Sequence, residues 1–195
     1  MWNVCHYNVL NKMNESRLKF SESRFLWVLL FTLLGLRLLM VVQVPITDST
    51  ESRYAEMARK MAETNDWITP QFDYGVPFWA KPPLHTWLSA LGIVIFGANE
   101  FGARIFIYCT ACALVWVLYR WAAENRGKDY ALLGVVALLS SGIFFSTMAA
   151  VMTDLVMLFG VVLSMVSFWR AVEGVNPRRL DGYLFFNGTM WKNNL

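Results

Sequence analysis

The chain has 195 residues, of which 56% are hydrophobic and only 16% are charged, and its formal net charge is +3. Soluble domains usually carry about 25% charged residues, so this composition excludes an ordinary soluble enzyme and a disordered chain, and it indicates an integral membrane protein. A net charge of +3 is too small, and its positive residues too scattered, for a nucleic-acid partner.

Long apolar runs predict the membrane-spanning helices, because one crossing needs roughly 20 apolar residues. The run 130–169 is long enough to cross twice and contains one charged residue, Asp154. Arg37, inside the first run, is expected to reach the membrane interface or to pair within the bundle. The predicted spans are about 25–44, 103–123, 129–148 and 151–170.

The apolar run 84–98 is too short for a confident span, and runs of this length often lie at the interface or re-enter the membrane. Cytoplasmic loops are rich in Lys and Arg. If 84–98 crossed the membrane, the basic loops after the second and fourth spans would both lie outside. We therefore expect 84–98 to lie in the outer face. Segments 1–24 and 171–195 are then cytoplasmic, and 45–102 forms one large outer loop.

An amphipathic helix is predicted over Thr50–Thr64 in this outer loop. Asp48, with Glu51 three residues later, is typical of a helix start. We expect the helix to lie on the membrane surface. Its apolar side chains recur at helical spacing on one face, and they are Tyr54, Met57, Ala58, Met61 and Ala62.

The outer loop resembles the first outer loop of the ArnT-like glycosyltransferases, which have the GT-C fold and are related to the protein O-mannosyltransferases. The likeness extends from about residue 26 to 186. The motifs that carry it are the block Asp48–Met61, Asp66-Trp67-Ile68, Pro70, Lys81-Pro82, the block Phe96–Arg104, and Thr153-Asp154.

The resemblance implies an all-α, polytopic membrane helix bundle of the GT-C type, whose large outer loop carries juxtamembrane helices. It also implies an enzyme that takes a sugar from a polyprenyl-phosphate carrier and transfers it to an acceptor on the outer side of the membrane. The acceptor is lipid A in the aminoarabinose branch and a protein in the mannosyltransferases. The implied location is the bacterial inner membrane, with a cytoplasmic N-terminus and membrane lipids as further partners.

Three residues of this chain match the family's site positions, and a fourth position, the first-loop acid, has two candidates, of which Asp48 is preferred to Glu51. Arg53 and Lys81 match the residues that hold the carrier phosphate, and Asp154 matches the acid of the second outer loop. The first-loop acid is Asp48 or Glu51, because Thr50 stands where many members have Asp. These types suit the chemistry, since Arg and Lys bind phosphate oxygens and sugar transfer generally needs a carboxylate.

The same residues have structural interpretations as well. Asp48 and Asp154 could be helix N-caps, and Arg53 and Lys81 could reach lipid headgroups from the interface. No residue is assigned as a metal ligand, because Ala80 stands where some members have Glu. A divalent metal ion is the one cofactor that the resemblance allows. An alternative to the enzyme is a non-catalytic lipid-binding or scaffold subunit of the membrane.

The C-terminal residues depart from the family pattern. The stretch 181–186 resembles the start of a fifth span, which a polar tail then interrupts. Family members are far longer, so the sequence predicts an N-terminal fragment of the bundle with an aborted fifth span. Because catalysis needs groups from several elements, we expect weak or no sugar transfer from residues 1–195 in isolation.

Overall fold

The structure, a computed structural model, describes residues 2–46 and 48–173, and the predicted fifth-span start and sequence break lie outside them. Within this part the chain forms an all-α membrane helix bundle with one short antiparallel hairpin, which confirms the predicted fold class. The elements are α1 (Trp2–Gln43), α2 (Ser49–Thr64), β1 (Gln71–Asp73), β2 (Val76–Pro77), α3 (Leu84–Phe96), α4 (Glu100–Arg126), α5 (Lys128–Ser140), α6 (Gly142–Thr147) and α7 (Thr153–Glu173).

Three helical stretches of the described chain are long and apolar enough to cross a membrane. They are Ser23–Gln43, Glu100–Arg126 and Thr153–Val172, and they correspond to the first, second and fourth predicted spans. Only 11% of the apolar window in the first stretch is buried inside the bundle. Many of its apolar side chains, such as Val28, Phe31 and Leu39, are exposed on the outside of the bundle, as expected for a helix in contact with lipid.

The third predicted span, 129–148, is not one continuous helix. It is divided into α5 and α6 at Ser141, whose backbone is extended, with φ −67° and ψ 122°. The Ser140 hydroxyl donates to the Val136 carbonyl at 2.8 Å, a local contact that competes with regular helix bonding. Sequence hydropathy misses the break, because the residues on both sides of it are equally apolar.

Helix α4 is the centre of the bundle and contacts α1, α3, α5 and α7. Ile107, Ala111 and Leu114 on this helix are fully buried. Arg37 of α1 was expected either to reach the membrane interface or to pair within the bundle. It pairs within the bundle, where it donates to the Ser146 carbonyl at 2.6 Å. This bond connects α1 to the end of α6.

Helix α2 packs on the bundle through its apolar face, which confirms the predicted amphipathic pattern. Tyr54, Met57, Ala58 and Met61 are buried and form a second, smaller core. Burying a Met side chain stabilises a fold by about 1.5–3 kcal/mol, so this face is enough to hold α2 against its neighbours. We call the end of the bundle formed by α2, the hairpin, the start of α3 and the turn 148–152 the α2 end.

The hairpin β1–β2 is attached to α2 by Lys60. This side chain is only 7% exposed. Its Nζ donates to the Phe72 carbonyl at 2.9 Å and to Asp73 Oδ1 at 3.1 Å. A buried ammonium group needs such partners to offset its lost hydration, so the hairpin and α2 form one unit.

Helix α3 has an inverted distribution of polarity. Its buried side is small and polar, with His85, Thr86 and Ser89, whereas Leu91 and Val94 are exposed. With 13 residues, the helix is about 20 Å long, which is shorter than the roughly 30 Å hydrocarbon core. An exposed apolar face on a short helix agrees with the expectation that 84–98 lies in a membrane face without crossing it.

Candidate functional site

His85, at the first turn of α3, is the centre of a buried polar junction between α2, α3 and α7. Its ring packs edge-on against Tyr54, with 4.9 Å between the ring centroids. Nδ1 lies 3.0 Å from the Pro82 carbonyl oxygen and 3.4 Å from the Thr153 hydroxyl, and Nε2 lies 3.3 Å from the Thr86 hydroxyl. We call these five residues the His85 junction.

These contacts determine the protonation of the imidazole. The Pro82 carbonyl can only accept, so Nδ1 carries the hydrogen and Nε2 accepts from the Thr86 hydroxyl. Burial lowers the pKa of His85 below its ordinary value of 6.5, and the charge of Lys81 lowers it further. The Pro82 carbonyl and the charge of Asp154 act in the opposite direction. The ring is therefore neutral at pH 7.

Three of the predicted site residues are sequence neighbours of this junction. Arg53 precedes Tyr54, Lys81 precedes Pro82, and Asp154 follows Thr153. All three are exposed. The fold therefore brings segments from α2, from the loop before α3 and from the start of α7 to one place at the α2 end.

The two predicted phosphate-binding cations are available to a ligand. The Arg53 guanidinium lies over the Phe72 ring, 5.9 Å from its centroid. Among the described residues neither Arg53 nor Lys81 forms an ion pair. A cation that stacks on an aromatic ring keeps its hydrogen-bond donors free for phosphate oxygens.

Asp48 is the N-cap of α2, as its structural interpretation predicted. Its side chain accepts from the Thr50 amide at 3.4 Å, and its backbone is extended. The carboxylate is exposed. Asp48 therefore lies at the start of the helix that carries Arg53.

Glu51, the other candidate for the first-loop acid, is buried in an ion pair. Its oxygens accept from Arg104 of α4 through two bonds, Nε to Oε1 at 2.7 Å and Nη2 to Oε2 at 2.9 Å. The Val151 amide also donates to Oε1, at 3.1 Å. Arg104 Nη1 donates to the Val44 carbonyl at the end of α1. Glu51 thus joins four segments of the chain.

No sequence pattern predicts a role for Arg104 or His85, although Arg104 ends the block Phe96–Arg104 that carries part of the family resemblance. A charged side chain near the start of an apolar helix is costly in a membrane and usually has a partner. The sequence therefore indicates that Arg104 needs a partner, but it does not indicate which residue that partner is.

Sequence comparison decides the family. Residues 20–187 match the family described as dolichyl-phosphate-mannose-protein mannosyltransferase. The chain belongs to this mannosyltransferase family. The resemblance found in the outer loop is confirmed, and the matched region includes α2, the hairpin and α3 to α7.

Curated relatives of this mannosyltransferase-family chain carry the name undecaprenyl phosphate-alpha-4-amino-4-deoxy-L-arabinose arabinosyl transferase. The one from Aeromonas hydrophila subsp. hydrophila is 31% identical over 163 residues, which cover 82% of this chain and 29% of the relative. That from Pseudomonas aeruginosa is 32% identical over 166 residues, covering 81% and 29%. That from Pseudomonas savastanoi pv. phaseolicola is 31% identical over 133 residues, covering 67% and 24%.

The chain therefore spans only 24 to 29% of the length of these relatives. No solved structure matches it. Across residues 2–46 and 48–173, no group of three or more His, Cys, Asp or Glu side chains is arranged to hold a metal ion.

Proposed function

We propose that the chain is a part of a membrane glycosyltransferase that moves a sugar from a polyprenyl-phosphate carrier to an acceptor outside the membrane. The observation that carries the proposal is the family match, combined with the grouping of Arg53, Lys81 and Asp154 around the His85 junction. The names of the relatives support an undecaprenyl-phosphate sugar as donor. Lipid A and a protein are the two acceptor classes that the family resemblance implies.

The proposed chemistry follows from the charges at the α2 end. When the carrier phosphate leaves, negative charge develops on its oxygens, and Arg53 and Lys81 would stabilise that charge. Asp154 is exposed at the start of α7 on the same side, where a carboxylate can act on the acceptor or on the positive charge of the sugar ring. We assign Asp48 as the first-loop acid, because Glu51 has both oxygens engaged.

The proposed location is the bacterial inner membrane, with the N-terminus in the cytoplasm and the α2 end outside. The apolar exposed face of the short helix α3 supports this arrangement, since it suits the boundary between water and hydrocarbon. The carrier phosphate would lie at that boundary, with its polyprenyl tail in the hydrocarbon.

Binding of the carrier tests the proposal. The chain is reconstituted in lipid nanodiscs and titrated with undecaprenyl phosphate that carries a photoreactive group. We expect Arg53→Ala and Lys81→Ala each to weaken binding about tenfold, because each removes a charge-assisted hydrogen bond to phosphate. Transfer of a radiolabelled sugar from the carrier to lipid A is assayed in the same samples.

The matched controls are Arg126→Ala and Lys128→Ala, which remove the same charges at the opposite end of α4 and should leave binding unchanged. If all four variants bind equally, the two outer cations do not hold the phosphate and the site assignment is wrong. The lipid-binding alternative predicts two results. Asp48→Asn and Asp154→Asn leave carrier binding unchanged, and a longer family protein that carries this segment transfers no sugar.

A further inference from the structure

We infer that Glu51 and Arg104 form a positioning pair that holds the two sides of the proposed site in register. This inference rests on the proposed function, and it assigns to Glu51 a role other than that of a reacting acid. Glu51 lies two residues before Arg53 in α2, and its partner Val151 lies three residues before Asp154. A single carboxylate therefore connects the segment that carries a proposed phosphate ligand to the segment that carries a proposed acid.

Both carboxylate oxygens of Glu51 are engaged in hydrogen bonds inside the bundle. Oε1 accepts from Arg104 Nε and from the Val151 amide, and Oε2 accepts from Arg104 Nη2. The side chains of Arg104 and Glu51 are 6% and 9% exposed. A general base must lie within hydrogen-bond reach of the proton that it takes, and a carboxylate held in this way faces the bundle interior.

Arg104 extends the connection to α1 and α4. Its third nitrogen, Nη1, donates to the carbonyl of Val44 and lies 3.5 Å from that of Val41, so the guanidinium satisfies the last turn of α1. The planar fork of Arg holds both oxygens of a carboxylate through two parallel bonds while its third nitrogen binds a carbonyl, a two-pronged geometry that the single ammonium nitrogen of Lys does not provide. The pair thus fixes α2 relative to α1, to α4 and to the turn 148–152.

Energetics give the pair a distinctive signature. Removing one partner of a buried pair leaves an uncompensated charge and is strongly destabilising, whereas replacing both by uncharged residues of similar volume is often nearly neutral. If Glu51 were instead a reacting carboxylate, its loss would abolish the reaction, and the additional removal of Arg104 would not restore it. The two roles are therefore separable by a double-variant experiment.

The first readout is geometric and requires no ligand. After replacement of the native cysteines by Ala, spin labels are placed at two exposed positions, Thr64 of α2 and Ile143 of α6. The distance distribution between them is measured in nanodiscs for Glu51→Gln, Arg104→Met and the double variant. We expect each single variant to broaden the distribution and the double variant to narrow it towards that of the wild type.

The second readout is carrier binding, with undecaprenyl phosphate as the probe. We expect the single variants to weaken binding about tenfold or more and the double variant to recover most of that loss. Arg104→Lys keeps the charge but loses the two-pronged geometry, and should give an intermediate value. Glu124→Gln, at the exposed ion pair with Arg170 on the opposite end of the bundle, is the matched control and should change neither readout.

The outcomes separate this inference from the proposed function. If Glu51→Gln leaves both distances and binding at wild-type values, the pair does not position the site and the inference is wrong. The same conclusion follows if the double variant is no better than either single one. If the wild-type chain binds no carrier while the distances respond as expected, the proposed function fails and the structural connection stands.

Discussion

His85 lies where three segments of the site meet, and its neutral ring is part of the packing. The imidazole is buried against Tyr54, and each ring nitrogen lies near an oxygen atom. Adding a proton at Nε2 would reverse the bond from Thr86 and place a charge in a buried position. Protonation should therefore loosen the contact between α3 and α7.

Acid should destabilise the chain in the range where His85 titrates. The pKa of His85 is lowered by burial, so between that lowered value and about 6.5 the unfolded chain binds more protons than the folded chain. The stabilising effect of the neutral ring is complete above about pH 6.5 and is lost as the pH falls towards the folded pKa. We expect the thermal midpoint in detergent to decrease between about pH 7 and pH 5.

His85→Gln is the control for this prediction, because it keeps polar groups and does not titrate. Its midpoint should change less over the same range. Backbone bonds from Thr69 and Ile68 lower the pKa of Asp66, and a backbone bond from Tyr74 lowers that of Asp73. These acids affect stability at lower pH, below about 4. If the variant and the wild type lose the same number of degrees, another group is responsible.

Helices α3 and α4 approach each other more closely than most helix pairs allow, and this approach places the His85 junction. Gly92 faces the backbone of Gly102, and a Cβ atom built on Gly92 would overlap the Gly102 carbonyl oxygen. Asn99 caps α4 by accepting from the Gly102 amide at 2.7 Å. The turn between the end of α3 and the start of α4 is therefore short and closely packed.

Gly92→Ala should destabilise the α3–α4 pair. The added methyl group meets backbone rather than a flexible side chain, so the helices must separate, at a cost of about 1–3 kcal/mol. We expect a lower thermal midpoint and weaker carrier binding, because the loop with Lys81 directly precedes α3.

Gly134→Ala in α5 is the matched control. A Cβ atom on Gly134 has nothing within 4 Å, and Ala favours a helix over Gly by about 1 kcal/mol. This variant should be as stable as the wild type or more stable. A Gly92→Ala protein with an unchanged midpoint would show that the two helices can separate without cost.

The bundle as a whole has two chemically different ends. The α2 end carries the His85 junction, the hairpin and the cations Arg53 and Lys81. The other end, where α4 meets α5, carries the exposed residues Arg120, Arg126 and Lys128. Helix α4 has 27 residues and is about 40 Å long, so the two ends lie on opposite sides of a bilayer that it crosses.

Cysteine labelling measures the orientation. In chains without native cysteines, Thr64→Cys at the α2 end should react with an impermeant maleimide in intact spheroplasts. Asn125→Cys at the opposite end should react only after permeabilisation. Positive loops remain in the cytoplasm, which is the reason for this expectation. Labelling of Asn125→Cys in intact spheroplasts, with Thr64→Cys protected, would reverse the proposed orientation.

Local sequence properties were sufficient for the fold class, for helices α4 and α7 and for the buried face of α2, but not for the break at Ser141 or the polar buried side of α3. Composition indicates the membrane because apolar residues far outnumber charged ones, and helical spacing predicts the buried face of α2 because the period is a property of the backbone. The family motifs located Arg53, Lys81 and Asp154 without any coordinates. The spans 103–123 and 151–170 correspond to α4 and α7 because an uninterrupted apolar run forms a continuous helix in lipid.

Contacts between residues far apart in the chain required the folded bundle. Glu51 and Arg104 are separated by 53 positions and Glu51 and Val151 by 100, and no local pattern selects one partner for a carboxylate among the many donors of the chain. The burial of Lys60 and the tautomer of His85 also depend on neighbours brought in by packing. The polarity of each side chain and its position in the helical repeat are local properties of the sequence. Which buried charges pair with each other depends on which helices pack together.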